Sequence, residues 1–265
     1  MISDGYLVAA PLLVIVFLGT ALGLSVGLVG TGSVLAVPVL VYGVGLDIHT
    51  AICVAMLTMT LLGFTGTIQK LHLGAVDLRA ASVIAVCGVL FAPLGAWFNK
   101  QLSPGFLLIL FAFAVAAIAV GTLLPQRSSA NQAGGSRAII SKDVAVFRSI
   151  ASGALIGLLG GLLGISGGFV AVPVLVSYHR MEMHRAVATS WGIVAVVSAA
   201  ATAGHVLGGQ RVPLQETLLF LIGGIIGFEI ALRIAHHFSE LGLKRLLAVA
   251  VLMMSVIMLA RLVAG

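Results

Sequence analysis

Eight stretches of this chain, near 7–29, 50–69, 80–98, 104–124, 146–164, 186–207, 214–235 and 246–263, are apolar almost throughout. Most have about 20 residues, the length an α-helix needs to cross a hydrocarbon core about 30 Å thick. Water cannot face such a chain. Of its 265 residues 8% are charged and 60% hydrophobic, whereas a soluble domain carries roughly 25% charged residues. The expected fold is therefore an all-α polytopic membrane protein, with the lipid bilayer as its first partner. The opening "MISDGYLVAA" lacks the basic region of a secretory signal, so the first apolar stretch is expected to be retained.

Two shorter apolar pieces, near 34–44 and 169–178, are too short to span, and both carry "AVPVLV", at 36–41 and again at 171–176. The repeat is longer than these six residues. Gly19, Gly23, Gly27 and Gly30 recur 134 positions on as Gly153, Gly157, Gly161 and Gly164. Pro38, Val39, Leu40 and His49 recur 135 positions on as Pro173, Val174, Leu175 and His184. The pattern indicates a duplication: 1–124 as an N-terminal transmembrane repeat, 125–145 as a Pro/Ser/Gly/Gln-rich cytoplasmic linker, and 146–265 as a C-terminal repeat. Each half holds one short and four long segments. If the first long segment and the short one form a re-entrant or broken pair, three crossings remain. That odd number inverts the second half relative to the first.

The basic residues orient the chain. With the linker in the cytoplasm, Lys70, Arg79, Arg127, Arg137, Lys142, Arg148, Arg180, Arg185, Arg233, Lys244 and Arg245 fall inside, and only Lys100, Arg211 and Arg261 outside. This positive-inside bias puts both termini outside a bacterial cytoplasmic membrane. The net charge of +6 is carried by single residues between apolar segments, not by patches, which argues against nucleic acid.

Function is expected at the two glycine-rich breaks, "GLVGTGSVLAVPVL" and "GLLGISGGFVAVPVL". Unwound backbone within a membrane must be buried in protein or line a wet cavity. The helix after each break presents N–H groups with partial positive charge, suited to an anion. The candidate binding residues are Gly30, Thr31, Gly32 and Ser33 in the first copy and Gly164, Ser166, Gly167 and Gly168 in the second. The hydroxyls of Thr189 and Ser190 follow the second break. Gly19, Gly23, Gly27 and their partners have small-xxx-small spacing and are read as packing positions. Gln69, Lys70 and His205, at equivalent helix ends, are candidates for gating or coupling. Glu229, the one ionisable residue deep within an expected span, could be neutralised by Arg233 four residues later.

Neither metal nor cofactor is expected. Inversion sends His49 and His184 to opposite faces, where they read as interfacial residues. Cys53 and Cys87 sit in apolar stretches as small hydrophobes. No residue pattern sets an oligomeric state.

The doubled glycine motif, with "HRAVATS" shortly after its second copy, resembles the TauE/SafE family of sulfite-exporter-like permeases over essentially the whole chain. Its repeat has the form G-x-x-G-x-G-G-G followed by a proline. Here Ser33 replaces the last glycine of the first copy, which is one residue shorter, and Ser166 stands where glycine is commoner in the second. The resemblance implies export of small sulfur-containing anions such as sulfite, sulfoacetate or other organosulfonates, and no enzymatic activity. An anion channel or uptake permease on the same scaffold is an alternative reading. A remoter one is a rhomboid-like intramembrane protease with Ser166 and His205 as its pair.

Overall fold

The computed structural model describes residues 3–29, 32–72, 74, 76–123, 142–177, 179 and 181–234. The last expected span, 246–263, lies outside these residues. So do His236, His237, Lys244, Arg245 and Arg261, and most of the linker.

The described residues form helices and no strand. Helix α1 (Ser3–Val29) is followed by a composite short segment: a 3₁₀ turn (Gly32–Leu35), α2 (Ala36–Pro38) and a π-helical stretch (Val39–Val44). Then come α3 (Ile48–Leu71), α4 (Leu78–Gln101) and α5 (Pro104–Leu123). The second half runs α6 (Lys142–Leu163), the short α7 (Gly168–Ser177), α8 (Met183–Leu207) and α9 (Leu214–Ile234). Helices α3, α4, α8 and α9 are each long and apolar enough to cross a bilayer. Large apolar side chains such as Leu13, Phe17, Leu90, Phe113 and Leu207 stay exposed around the bundle, Leu207 at 88%. A surface of that kind suits lipid and not water. The chain is an all-α multi-pass membrane protein.

Aspartates start two of the long helices. The Asp47 carboxylate accepts from the N–H groups of His49 (3.0 Å) and Thr50 (3.4 Å), and Asp77 accepts from Arg79 and Ala80 (both 3.1 Å). Such caps satisfy donors that a helix start leaves without partners. The duplication is visible in backbone hydrogen bonds as well. Leu46 N donates to Leu40 O at 3.1 Å, and Met181 N donates to Leu175 O at 3.2 Å, the same pair in the other half.

Glycine stripes assemble the bundle. A β-carbon on Gly19 or Gly23 of α1 would be driven into the Phe220 or Gly224 carbonyl oxygen of α9, and one on Gly27 would lie 3.1 Å from Phe228 O. In α6, a β-carbon on Gly153, Gly157 or Gly161 would strike the carbonyl oxygens of Ile84, Gly88 or Ala92 of α4. Position for position, the α9 partners follow the α4 partners by 136 residues. Without side chains between them the helix backbones touch, and dispersion replaces the hydrophobic drive that lipid does not supply. In both contacts residue numbers rise together, so α1 runs parallel to α9, and α4 parallel to α6.

The repeat-equivalent helices α3 and α8 cross in the opposite sense. Gly63 lies against Ala195, Gly66 against Trp191, and Gly192 against Thr67, so one number falls as the other rises. Each half thus lends its first helix to the third long helix of the other half, α1 to α9 and α6 to α4, and α3 and α8 meet antiparallel.

A capped helix break and its surroundings

At the second break the backbone leaves α6 through Gly164, whose φ of +72° lies in the left-handed region. Its N–H donates to Gly160 O (2.9 Å). A β-carbon there would also come 2.9 Å from Val37 Cγ2 and 3.2 Å from Ile52 Cγ1. Conformation and space both demand glycine. Val37 belongs to the first copy of the repeated hexapeptide, so the second break rests directly on the short segment of the other half.

Ile165, Ser166, Gly167 and Gly168 are all buried. Gly168 N donates to Ser166 O (2.8 Å), and the N–H groups of Val170 and Ala171 donate to Gly167 O (3.0 and 2.8 Å). Two donors expected to stand free for an anion, those of Gly168 and Val170, therefore already have carbonyl partners in the unliganded chain. The missing side chain of Gly167 is filled by Ile156, into whose side chain a β-carbon would be driven. A bulky side chain at Gly167 would therefore disturb the packing of α6 as well as any ligand.

The last turn of α6 should leave carbonyls unsatisfied. Here side chains from two other helices reach them. Asn99 of α4, 1% exposed, donates Nδ2 to Leu162 O (2.7 Å), and His205 of α8, 5% exposed, donates Nε2 to Gly161 O (2.8 Å). With the Asn99 amide nitrogen committed, its oxygen accepts, and His49 of α3 donates Nδ1 to it at 2.9 Å. His49, part-buried at the start of α3, thus also links α3 to α4. His205 has a structural duty at the break itself.

The remaining candidates lie elsewhere. Thr189 and Ser190 follow the second break in sequence, yet Thr189 sits 16 residues before His205 on α8, about 24 Å along the helix, with Ser190 beside it. Thr189 Oγ1 accepts from Asp77 N (3.0 Å) and donates to Met181 Sδ (3.5 Å), while Ser190 Oγ donates back to Val187 O (2.7 Å). Above Thr189 opens a cleft of about 480 Å³ lined by Asp77, Arg79, Ala80, His179, Met181, Glu182 and Arg185. An Asp77–Arg185 ion pair (3.7 Å) lies at its rim.

In the first copy, Gly30 and Thr31 are outside the described residues, and the backbone of Gly32 and Ser33 opens the 3₁₀ turn. Gln69 donates its amide to Glu229 of α9. Among the described residues no ion pair joins Glu229 to Arg233, which corrects the pairing expected from their spacing. Lys70, the repeat equivalent of His205, is half-buried at the end of α3.

Two residues escaped the sequence reading. Asn99 carried a signal, because a lone amide near the end of an apolar span is costly in lipid and needs a partner. Trp191 carried none: an indole in a span looks like any other apolar side chain.

No metal-binding group of His, Cys, Asp and Glu occurs among the described residues. Comparison with known proteins agrees with the architecture. The family Sulfite exporter TauE/SafE matches residues 15–258. A probable membrane transporter protein of Xylella fastidiosa strain 9a5c is 29% identical over 233 residues, 86% of each chain. Its counterpart from strain Temecula1 is 28% identical over the same length and share. No solved structure matches. With a family match over nearly its whole length, the chain belongs to the sulfite exporter TauE/SafE family and is a multi-pass membrane transporter.

Proposed function

We propose that this transporter exports small sulfur-containing anions, sulfite, sulfoacetate or related organosulfonates, across the bacterial cytoplasmic membrane by alternating access between two inverted repeats. The observation that carries this reading is the exchanged packing. Parallel α1–α9 and α4–α6 contacts on either side of an antiparallel α3–α8 crossing are what a two-fold axis in the membrane plane would produce. Such an axis brings the two glycine breaks toward one another, and Gly164 already rests on Val37.

The residues proposed to contact the anion are nearly all uncharged: backbone N–H groups and the hydroxyls of Ser33 and Ser166 at the breaks, and the hydroxyls of Thr189 and Ser190 farther along α8, away from the capped end of α6. Neutral donors hold an anion loosely enough to release it. Outward movement of an anion from a negative interior is favoured by about 2.3 kcal/mol per charge per 100 mV, so export needs no obligatory ion coupling.

The test is flux from proteoliposomes loaded with sulfite, sulfoacetate or a carboxylate analogue of matching size. Saturable efflux of the sulfur anions is expected, with counter-transport when substrate is present outside. Absence of saturable flux for every sulfur anion would end this reading, and saturable flux without counter-transport would favour a channel. Orientation is tested separately with single cysteines. Gly265→Cys should react with an impermeant reagent applied to intact cells and Ser129→Cys should not; the reverse labelling would invert the topology.

A further inference from the structure

We infer that the indole N–H of Trp191 is a ligand of the transported anion, an inference that rests on the proposed function and names a donor within its site. Trp191 is 5% exposed, and its Nε1 is the only buried side-chain nitrogen or oxygen among the described residues that lacks a hydrogen-bond partner. A buried donor without an acceptor is costly in any protein and more so within a bilayer, and native structures hold very few. The usual reason for keeping one is an ion or water that belongs beside it.

The neighbourhood points to an anion. Trp191 follows Thr189 and Ser190 on α8, and both hydroxyl protons there are engaged, on Met181 Sδ and Val187 O. The indole is the free donor of that stretch. Its body is fixed by apolar contacts: Cε3 and Cδ2 lie against Gly66 of α3, and the ring meets Phe228 of α9 edge-on at 5.4 Å between centroids. Cε3 and Cδ2 belong to the side of the indole opposite Nε1, so the N–H edge is turned away from Gly66.

Phe228 in turn packs on Gly27 of α1, in the stripe that leads to the first break. Val187, one turn before Trp191, is the repeat equivalent of Ile52, the residue on which Gly164 rests at the second break. Trp191 thus occupies the part of α8 that corresponds to the α3 surface beneath the other break. An indole can donate but not accept. It therefore suits oxyanions such as sulfite or a sulfonate and not ammonium groups, which offer donors alone. With no charge of its own, it adds affinity without creating a trap.

The chain has two tryptophans, which makes a direct test available. Trp97 is 56% exposed on the outer face of α4, so Trp97→Phe leaves Trp191 as the sole indole and should bind as the wild type does. In that protein, titration with sulfite or sulfoacetate should shift or quench the emission with the same midpoint that calorimetry gives for binding. Trp191→Phe keeps an aromatic ring, smaller than the indole, and removes the donor. It should weaken binding about tenfold, the order expected for one lost hydrogen bond to a charged group. The unliganded variant should melt somewhat lower, because the smaller ring leaves a cavity in a buried site, so affinities are compared at a temperature where both proteins are folded.

Equal affinity of Trp191→Phe and wild type for both anions would overturn the inference and leave the transport reading standing. An unresponsive emission during calorimetrically proven binding would do the same. If neither anion binds the wild type, the functional reading fails and the inference falls with it.

Discussion

The glycine stripes and the polar contacts at the helix ends are built on opposite terms. Along α1–α9 and α4–α6, the same carbonyls press on the same glycines in both halves. At the helix ends the halves diverge. Asn99 and His205 tie down the end of α6, whereas the position of His205 is Lys70 in the first half and its neighbour Gln69 bonds instead to Glu229. Backbone packing tolerates almost no substitution, so duplication leaves it in register. A side-chain hydrogen bond can be replaced by another at modest cost, and there the halves were free to specialise. Among the described residues, the asymmetry between the halves is carried by a few polar side chains at the helix ends.

Substitutions can break or sharpen that contrast. The largest effects should come from Gly23→Val and Gly157→Val, which drive a side chain into a carbonyl of the facing helix. Overpacking of a core costs about 1–3 kcal/mol or more, and backbone against backbone has no rotamer to yield. Both variants should lose folded protein to a similar degree in detergent melts and size-exclusion profiles. Tolerance of one alone would break the equivalence of the stripes.

Asn99→Ala comes next. It strands the Leu162 carbonyl and the His49 ring nitrogen together, at about 1–3 kcal/mol for a buried unsatisfied group, read as a lower melting temperature. His205→Ala should fall in the same range, whereas Lys70→Ala, at the equivalent position, should stay within about 0.5 kcal/mol. A Lys70→Ala cost as large as that of His205→Ala would show that the first half holds an equal cap. Ser190→Ala should change least, by less than about 1 kcal/mol, since its hydroxyl bonds only to its own helix.

The sequence was legible wherever an effect is periodic or repeated. Helix positions followed from apolar length, the short segments from the copied hexapeptide, and the packing role of Gly19, Gly23 and Gly27 from their spacing. The family followed from the doubled motif. Illegible was whatever depends on which helix a side chain meets. Adjacency in sequence linked Thr189 to the second break, but α8 carries it about 24 Å from that end. The i, i+4 spacing of Glu229 and Arg233 offered a pair, and α9 instead turns Glu229 toward Gln69 of α3. Gly167 looked like backbone reserved for a ligand, and Ile156 fills its space.

The exchanged glycine contacts also bear on how the chain is made. Gly88 and Gly157 can meet once synthesis has passed a short linker and one helix. Gly23 must wait for Gly224, some 200 residues later, which at ribosomal speeds is about 10–40 s. For that interval the first helix to enter the membrane holds a bare backbone groove with nothing in it. The N-terminal half can therefore insert but cannot finish folding by itself. Membrane quality control would read a chain truncated before α9 as a helix still awaiting its partner.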